Sequence, residues 1–551
     1  MTEVYVGGKV FTAAARRWAT ALVVQDGTLV YVGDDDTALR LAGDVTPIDL
    51  AGATVLPGFV DGHAHVINTG ESAQHVDLWG ATSLADIQRD IAAFAALHPE
   101  LPRIRAHGWR HDIVGGLPSR EMLDAAVPDR PVYAQAFDFH SVWLNSAALA
   151  EVGIDRETAS PPGGTVHMDA TGEPTGYIDE IAMHRLVYPI LDDFVTAEDR
   201  DTALRQALTD YRASGVTATT DMALDAVDLA AMARAEAAGE LTTRISAYWF
   251  VAPTGDVAQN LAQVRTAAEH ARQHVSDRLR VVGIKVMIDG TIDGCTAAVS
   301  RPYVTGVGAD PIWTLGELAP VVVEADALGI RVAMHAIGDE AVRIAIGAVE
   351  RAIAVNGPRE RRHRIEHLEI AEQADVERLA ALGIVASMQP VHCDPAIQEN
   401  WRAMLGDDRV ERGYPWPFVT EAGGALAFGT DSPTSPHPPL RNMFIAATRR
   451  SAIDPTLPAN IPAFALPLAE AIEHATRDAA WACGAERIFG TLEAGRRADF
   501  IVLDRDIFSR PVEELLEATV VRTVVGGVTV HDRGEQEEPG RTAAGQQKET
   551  Q

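Results

Sequence analysis

The chain has 551 residues, 47% of them apolar, enough to bury a large core in two or three structural units. Its 78 acidic residues against 47 Lys and Arg give a formal charge of −31. Because like charges repel, this balance argues against nucleic acid and anionic lipid as partners and disfavours large anionic substrates.

The three cysteines, Cys295, Cys393 and Cys483, are far apart and form no C-x-x-C pair. The sequence therefore indicates neither a disulfide framework nor a zinc knuckle, and a reducing compartment is expected. The first residues contain no apolar core of signal-peptide length, and no run is long enough to span a membrane. We expect a cytoplasmic protein without a membrane partner.

The two ends of the chain both read as short strands separated by turns. Near the N-terminus the strand-like runs are 4–6, 21–24, 29–32 and 54–56, a pattern typical of sheet rather than helix. A similar pattern returns at 499–504 and 520–530. We predict that segments 1–56 and 486–533 form one small β-sandwich domain, and that the polar residues 534–551 form a disordered tail.

An apolar segment at 55–65 ends in two histidines, His63 and His65, with the small residue Ala64 between them. Residues i and i+2 of a strand share a face, so both imidazoles can point into one site. Paired imidazoles suit zinc or a similar borderline metal.

From about 201 to 485, apolar runs alternate with alanine-rich helical stretches, the pattern of parallel βα units. Seven such runs can be read, at 215–221, 244–250, 281–288, 330–335, 364–367, 384–388 and 425–431. With the run that ends at His63 and His65 they number eight, as needed for an α/β fold of the (β/α)₈ TIM-barrel type over 57–485. About 150 residues separate the first two runs, which predicts an inserted subdomain at roughly 70–200.

Further candidate metal ligands lie at the ends of these runs: Lys285, His335, His367 and Asp431. Active sites of such barrels lie at the carboxyl ends of the strands. A lone histidine is more often a surface or hydrogen-bonded core residue than a metal ligand. The hypothesis of a metal site therefore depends on the shared position of these residues at the carboxyl ends of the strands. Alternatives are a salt-bridged or solvent-facing Lys285 and a helix-capping Asp431.

Several motifs occur in a characteristic order: PGFVDGHAH at 57–65, GIKVMIDGTIDG at 283–294, MHAIGDEAV at 334–342, RIEHLEI at 364–370, FGTDSP at 428–433 and GTLEAGRRADFIVLD at 490–504. On these motifs, which span nearly the whole chain, the sequence resembles the amidohydrolase superfamily, specifically its YtcJ-like or amidohydrolase-3 branch. The resemblance also implies a homodimer.

The resemblance implies a centre with two divalent metal ions. One ion would be held by His63, His65 and Asp431, and the other by His335 and His367. Ligands of this type favour zinc, with iron or manganese tolerated.

Lys285 would bridge the two ions. An ammonium group cannot bind a cation, so this role requires a carbamylated Lys285, formed with CO₂ by a lysine of lowered pKa. A metal-bridging hydroxide would then attack an amide carbon, with Asp431 as general base and then as acid towards the leaving nitrogen.

Three further residues are candidates for substrate binding. His140 lies in a segment that resembles the family's segment reaching from the insert towards substrate. Trp109 could form an aromatic wall, although buried tryptophan is as often plain core. Because Lys285, Met287 and Asp289 alternate along one strand, they should share one face, and Asp289 either contacts substrate or anchors a loop.

The leading hypothesis is a hydrolase that cleaves the C–N bond of a small amide, first of all an N-substituted formamide to an amine and formate. The alternatives are a deaminase or a carbamate or ester hydrolase on the same fold, and a non-catalytic binding barrel. Deaminase-type sites of the superfamily manage without a bridging lysine, so Lys285 argues against that reading. A nucleophilic pair of His392 and Cys393, which follow the seventh strand and could face the mouth, is remote because no third orienting group is indicated.

Overall fold

The computed structural model describes residues 2–161 and 163–535. Of the segment predicted as a disordered tail, residues 536–551 lie outside the described part, and Arg533–Glu535 form one 3₁₀ turn.

The centre of the molecule is an eight-stranded parallel sheet whose strands follow one another in chain order. The strands are Phe59–Ala64, Val216–Leu224, Arg244–Phe250, Leu279–Met287, Arg331–Ala336, Arg364–His367, Val385–Met388 and Ala425–Phe428. The chain after the last strand returns to the first, where the Asp431 N–H donates to the His63 carbonyl at 2.7 Å and the His65 N–H to the Ser432 carbonyl at 2.8 Å. The predicted (β/α)₈ barrel is confirmed, and all eight predicted runs are its strands.

A close backbone approach closes the barrel at the proposed site. A Cβ atom at Gly429 would lie 2.3 Å from the His63 nitrogen, and one at Gly62 would lie 2.5 Å from the Phe428 carbonyl oxygen. Only glycine fits at such distances, so these two positions allow the first and last strands to bring their ends together.

Helices surround the barrel and separate successive strands. They are Val66–Ser72, Ala197–Ser214, Ala226–Ala238, Val257–Gln273, Leu315–Ala327, Asp339–Asn356, Gln373–Ala381, Pro395–Leu405, Asp407–Val410, Trp416–Glu421, Pro439–Thr448, Leu468–Glu473 and Ala479–Ala482. Helix Ala197–Ser214 shows how local sequence sets their limits: Thr196 and Asp199 form a capping box at its start, and Gly215 ends it in the left-handed conformation.

A six-stranded mixed sheet is inserted between the first two barrel strands. Its strands are Val76–Asp77, Ile104–Trp109, Val132–Ala136, Ser141–Leu144, Val166–Met168 and Pro174–Asp179. Its helices are Leu84–Leu97, Arg120–Asp124, Ser146–Val152, Glu180–Leu186 and Tyr188–Asp192. The insert has its own apolar core and so forms a separate layer. Its residues line the cavity at the open end of the barrel together with residues of the barrel strands.

The two chain ends meet in two further sheets, as expected. One contains Thr2–Val6, Ala21–Gln25, Thr28–Gly33 and Ile48–Asp49; the other contains Lys9–Phe11, Trp18–Ala19, Thr54–Pro57, Phe500–Leu503, Val520–Val525 and Val528–Asp532. Strand Thr54–Pro57 pairs antiparallel with Phe500–Leu503, which joins the two termini. The expectation of sheet without helix was wrong at one place, because Asp35–Ala42 is a helix. The Asp34 side chain caps its start by accepting a hydrogen bond from the Thr37 N–H.

A buried ion pair attaches the terminal sheets to the barrel. Arg244 at the start of the third barrel strand donates to both carboxylate oxygens of Asp499, at 2.6 and 3.0 Å, and neither side chain is more than 2% exposed. Within the described residues, no helix is both long and apolar enough to cross a lipid bilayer.

Candidate metal centre

A cavity of about 420 Å³ opens at the carboxyl ends of the barrel strands, beneath the insert. It is lined by all six side chains predicted as metal ligands: His63, His65, Lys285, His335, His367 and Asp431. The barrel therefore brings together residues separated by up to several hundred positions in the sequence.

Asp431 lies at the centre of the first group of donor atoms. Its Oδ1 atom is 3.3 Å from His63 Nε2 and 3.2 Å from His65 Nε2. This oxygen is buried and has no hydrogen-bond partner among the described residues. An unpartnered carboxylate oxygen between two imidazole nitrogens is chemically suited to hold a divalent cation such as zinc, so these residues fit the implied metal.

The electrostatics of Asp431 favour its charged form. Burial opposes ionisation, but His63, His65 and His367 outweigh it and lower the pKa of Asp431 well below its usual range. Asp431 and His367 both adopt a left-handed backbone conformation, with φ of 60° and 74°. Such conformations in non-glycine residues are typical of functional sites, where surrounding structure maintains them.

A second group of candidate ligands adjoins the first. Ligand atoms of His367, His392 and Asp431 lie within 4.8 Å of one another, and the His335 and His367 rings are 4.4 Å apart. His392 also accepts or donates a hydrogen bond with Thr434 Oγ1 at 3.1 Å. The sequence indicated only that His392 could face the barrel mouth, so its contact with Asp431 is a finding of the structure. Cys393 beside it is fully buried, and burial raises the pKa of its thiol to about 12, which excludes a reactive thiolate there.

Three of the candidate histidines have one ring nitrogen occupied by a partner outside the centre. His63 Nδ1 bonds Glu366 at 2.7 Å, His367 Nδ1 bonds Gln389 at 2.9 Å, and His335 Nε2 bonds the Gly290 carbonyl at 3.3 Å. Each bond fixes the ring and leaves the other nitrogen free for a metal, the usual arrangement around ligating histidines.

Glu366 is the partner of His63 in the candidate centre, and the sequence reasoning missed it. It is fully buried, and Arg364 on the same strand donates to both of its oxygens, at 2.5 and 3.0 Å. The signal was present, because two opposite charges two residues apart stand in an otherwise buried strand and share one face.

We expect Glu366→Gln to lower both stability and metal affinity. The change leaves the buried Arg364 charge uncompensated, which costs about 3 kcal/mol in the free energy of unfolding, and loosens the bond that orients His63, lowering metal affinity roughly 10-fold. Denaturant unfolding and metal titration measure the two effects. The control is Glu340→Gln, a surface glutamate paired with Arg343. Unchanged affinity in the Glu366 variant would contradict the orienting role.

Lys285 is buried, with 2% of the residue exposed, and its Nζ atom lies 3.5 Å from His63 Nε2. Burial lowers the pKa of Lys285 to about 8, although Glu366 and Asp431 oppose the shift. Among the described residues it has no carboxylate partner within ion-pair distance, so the alternative of a salt-bridged or solvent-facing lysine is excluded.

His140 reaches the same cavity from the insert. Its Nδ1 bonds Glu180 at 2.9 Å, and its ring lies 5.0 Å from the His335 ring. Burial opposes the charged form, but Glu180 raises the pKa of His140 to about 9, so the imidazole is cationic near neutral pH. The free nitrogen of this ring can therefore donate a hydrogen bond into the cavity.

The structure corrects two of the expected substrate contacts. Trp109 is fully buried in the apolar core of the insert, where its indole N–H donates to the Ala134 carbonyl at 2.9 Å, and it does not line the cavity. Asp289 is fully buried and accepts the backbone N–H groups of Ala298, Ile337 and Gly338 at 2.8–3.0 Å. It anchors loops, because the strand ends at Met287 and strand parity fails beyond that residue.

Comparison with known proteins is consistent with this geometry. Residues 46–531 match the model of the amidohydrolase family. The putative amidohydrolase YtcJ of Bacillus subtilis is 29% identical over 97% of this chain and 100% of its own length. The N-substituted formamide deformylase of Arthrobacter pascens is 29% identical over 96% of this chain and 98% of its own length.

Solved structures agree. An uncharacterized metal-dependent hydrolase from Pyrococcus horikoshii has a TM-score of 0.75 and 26% identity, covering 93% of this chain and 99% of its own. Because the family model spans most of the sequence, and a similar solved structure is a metal-dependent hydrolase, the chain belongs to the amidohydrolase family of metal-dependent hydrolases.

Proposed function

We propose that this protein hydrolyses the C–N bond of a small amide, with an N-substituted formamide as the leading substrate and an amine and formate as products. One observation carries the proposal: the Nε2 atoms of His63 and His65 both lie close to an unpartnered carboxylate oxygen of Asp431, inside a cavity that Lys285 also lines.

The residues of the centre would hold two divalent ions, with zinc favoured by the mixture of imidazole and carboxylate ligands. His63, His65 and Asp431 would hold one, and His335 and His367 the other. Such ions supply an activated water and polarise the substrate carbonyl. Lys285 would serve as the shared ligand after its neutral amine combines with CO₂ and loses a proton to form a carbamate, a reaction that burial and a pKa of about 8 favour.

Asp431 and His140 would handle protons and charge at the reacting amide. Asp431 is held as a carboxylate and would accept the proton of the attacking water and transfer it to the leaving nitrogen. His140, fixed from behind by Glu180, would donate its free N–H to the carbonyl oxygen as negative charge develops there.

The wall of the cavity supports a substrate with an apolar N-substituent. Phe139, Ile181, Phe250 and Met287 line it beside the proposed ligands. A formyl group is the smallest acyl group, and the deformylase from Arthrobacter pascens resembles this chain over nearly its whole length. The buried Lys285 argues against the deaminase alternative, and the complete ligand set argues against a binding barrel without activity.

The proposal includes a homodimer, supported by the family resemblance, and a cytoplasmic location, supported by three separate free cysteines.

The test is metal content by elemental mass spectrometry together with amine release from a panel of N-substituted formamides and N-acetyl amines. We expect about two ions per chain and faster turnover of the formamides. Removal of metal with a chelator should stop turnover, and zinc should restore it. Metal-independent turnover, or one ion without amide hydrolysis, would contradict the proposal.

A further inference from the structure

The cavity of the proposed metal centre extends into a second region between the barrel and the insert. We call this region the insert lobe; its polar lining residues include Glu71, His75, Arg105, His107, Tyr188 and Arg200, together with the carboxylates Asp192, Asp225 and Asp228. Glu71 is at the end of helix Val66–Ser72, and His75 follows that helix. Arg105 and His107 are on the inserted strand Ile104–Trp109, whereas Tyr188 begins helix Tyr188–Asp192 and Arg200 is near the start of helix Ala197–Ser214. A substrate bound at the metals would therefore extend towards these side chains.

The acidic groups around the insert lobe already have partners. Arg200 contacts Glu71 at 2.9 Å, Asp192 at 2.7 Å and Asp228 at 3.3 Å. Asp225 accepts the backbone N–H groups of residues 227 and 228 at the start of a helix. Three of these carboxylates thus share Arg200 as their partner, and the fourth caps a helix.

Arg105 differs from the other charged groups of the lobe. The single ionic contact of its side chain within the described part of the chain is Glu71 Oε2 at 3.5 Å, and that side chain makes no hydrogen bond there. Glu71 is already bonded to Arg200, so it compensates Arg105 only in part. With a side chain 30% exposed and five N–H donors in a planar fork, Arg105 presents unused donors to the cavity.

Two imidazoles line the lobe beside Arg105. Burial lowers the pKa of His75 and of His107, and the charge of Arg105 adds to the effect at His75. His107 is 8% exposed, and its Nδ1 is buried without a hydrogen-bond partner in the described structure. The planar guanidinium of Arg105 is suited to a planar oxyanion.

We infer that the insert lobe binds a carboxylate of the substrate through Arg105. This inference rests on the proposed function and narrows its substrate class to N-formyl or N-acyl amines that carry a carboxylate remote from the scissile bond. An Arg–carboxylate contact in a partly enclosed cavity provides two parallel charge-assisted hydrogen bonds and so selects by geometry as well as charge.

The test uses a chain-length series of N-formyl-ω-amino acids, each paired with its uncharged primary amide and with an analogue ending in an ammonium group. We expect the wild type to prefer the carboxylate member at the best chain length by roughly 10- to 100-fold in kcat/KM. Arg105→Met should remove this preference, lowering kcat/KM for the carboxylate member by about the same 10- to 100-fold and by more than for its uncharged amide. Arg105→Lys, which keeps the charge and loses the fork, should retain part of it.

The matched control is Arg156→Met, which removes an exposed arginine of the insert that pairs with Glu173 outside the cavity. It should leave the preference intact. Thermal melting of all variants checks that each is folded.

Calorimetry makes the inference independent of turnover. The ω-amino acid product should bind the metal-loaded wild type roughly 10- to 100-fold more tightly than its primary amide, and Arg105→Met should bind both equally. Equal binding to the wild type, binding of neither, or preference for the ammonium analogue overturns the carboxylate site. If the uncharged formamides are hydrolysed without any carboxylate preference, the proposed function stands alone. Conversely, a calorimetric preference without hydrolysis of any amide would refute the proposed function and leave the anion site.

Discussion

Replacing Lys285 with alanine is expected to remove bound metal and turnover together while leaving the fold intact. The side chain is buried in the cavity, 3.5 Å from His63 Nε2 and without a carboxylate partner in the described residues, so its removal breaks no ion pair. If Lys285 supplies the shared ligand, the loss should reach on the order of 10³-fold in kcat, the rate equivalent of several kcal/mol. Elemental analysis and steady-state kinetics measure the two losses on one preparation.

Chemical rescue distinguishes the carbamate from other roles of the lysine. A short carboxylate, such as acetate or propionate, has the two oxygens of a carbamate and is small enough for the space that the side chain vacates. Added with zinc, it should restore part of both metal content and turnover. The matched control is Lys9→Ala, which removes a lysine of the terminal domain paired with Asp506. A Lys285→Ala protein that keeps two ions and full activity would rule out the bridging role.

The barrel could be predicted from sequence because each of its strands is a largely buried, mostly apolar run. Parallel strands are covered on both faces, so their apolar runs are nearly continuous, and the chain order of the runs is the spatial order of the strands. His63 and His65 were found in the same way, because two residues of spacing two on a strand share a face.

The strand order of the insert could not be predicted in the same way, since parallel and antiparallel pairs are mixed and one pair, Ser141–Leu144 with Pro174–Asp179, skips the strand Val166–Met168. Strand Val76–Asp77 pairs with residues 106–107, and Ser141–Leu144 lies between Val132–Ala136 and Pro174–Asp179. Trp109 illustrates the consequence: an aromatic residue next to a strand end can face the cavity or the core, and only the packing of the insert decides.

Side chains alternate between the two faces only as far as a strand continues, and this explains where the site differs from the sequence prediction. Lys285 and Met287 do line the cavity, as alternation predicts, but the strand ends there and Asp289 turns into the loops. The left-handed conformations of His367 and Asp431 likewise arise where strands end, and no local sequence rule specifies them. The partner of His63, Glu366, was accessible to reasoning from charge and parity alone.

Replacing Asp431 with asparagine is expected to abolish most turnover without unfolding the barrel. Asparagine tolerates the left-handed backbone that Asp431 adopts, at φ 60°, and keeps the shape of the side chain. It cannot accept a proton, and it removes the negative charge that faces His63 and His65 at 3.3 and 3.2 Å. At saturating metal, kcat should fall by about 10²- to 10⁴-fold, the usual contribution of a positioned general base.

Two measurements separate the roles of Asp431 as ligand and as base. Metal titration should show weaker binding of one ion, whereas kcat at saturating metal reports the loss of the proton acceptor alone. Asp408→Asn, which removes an exposed carboxylate paired with Arg301, is the matched control and should change neither quantity. If Asp431→Asn retained turnover at saturating metal, the carboxylate would be a structural cap on the loop that follows the last strand, and the proton acceptor would have to be sought among the other side chains of the cavity.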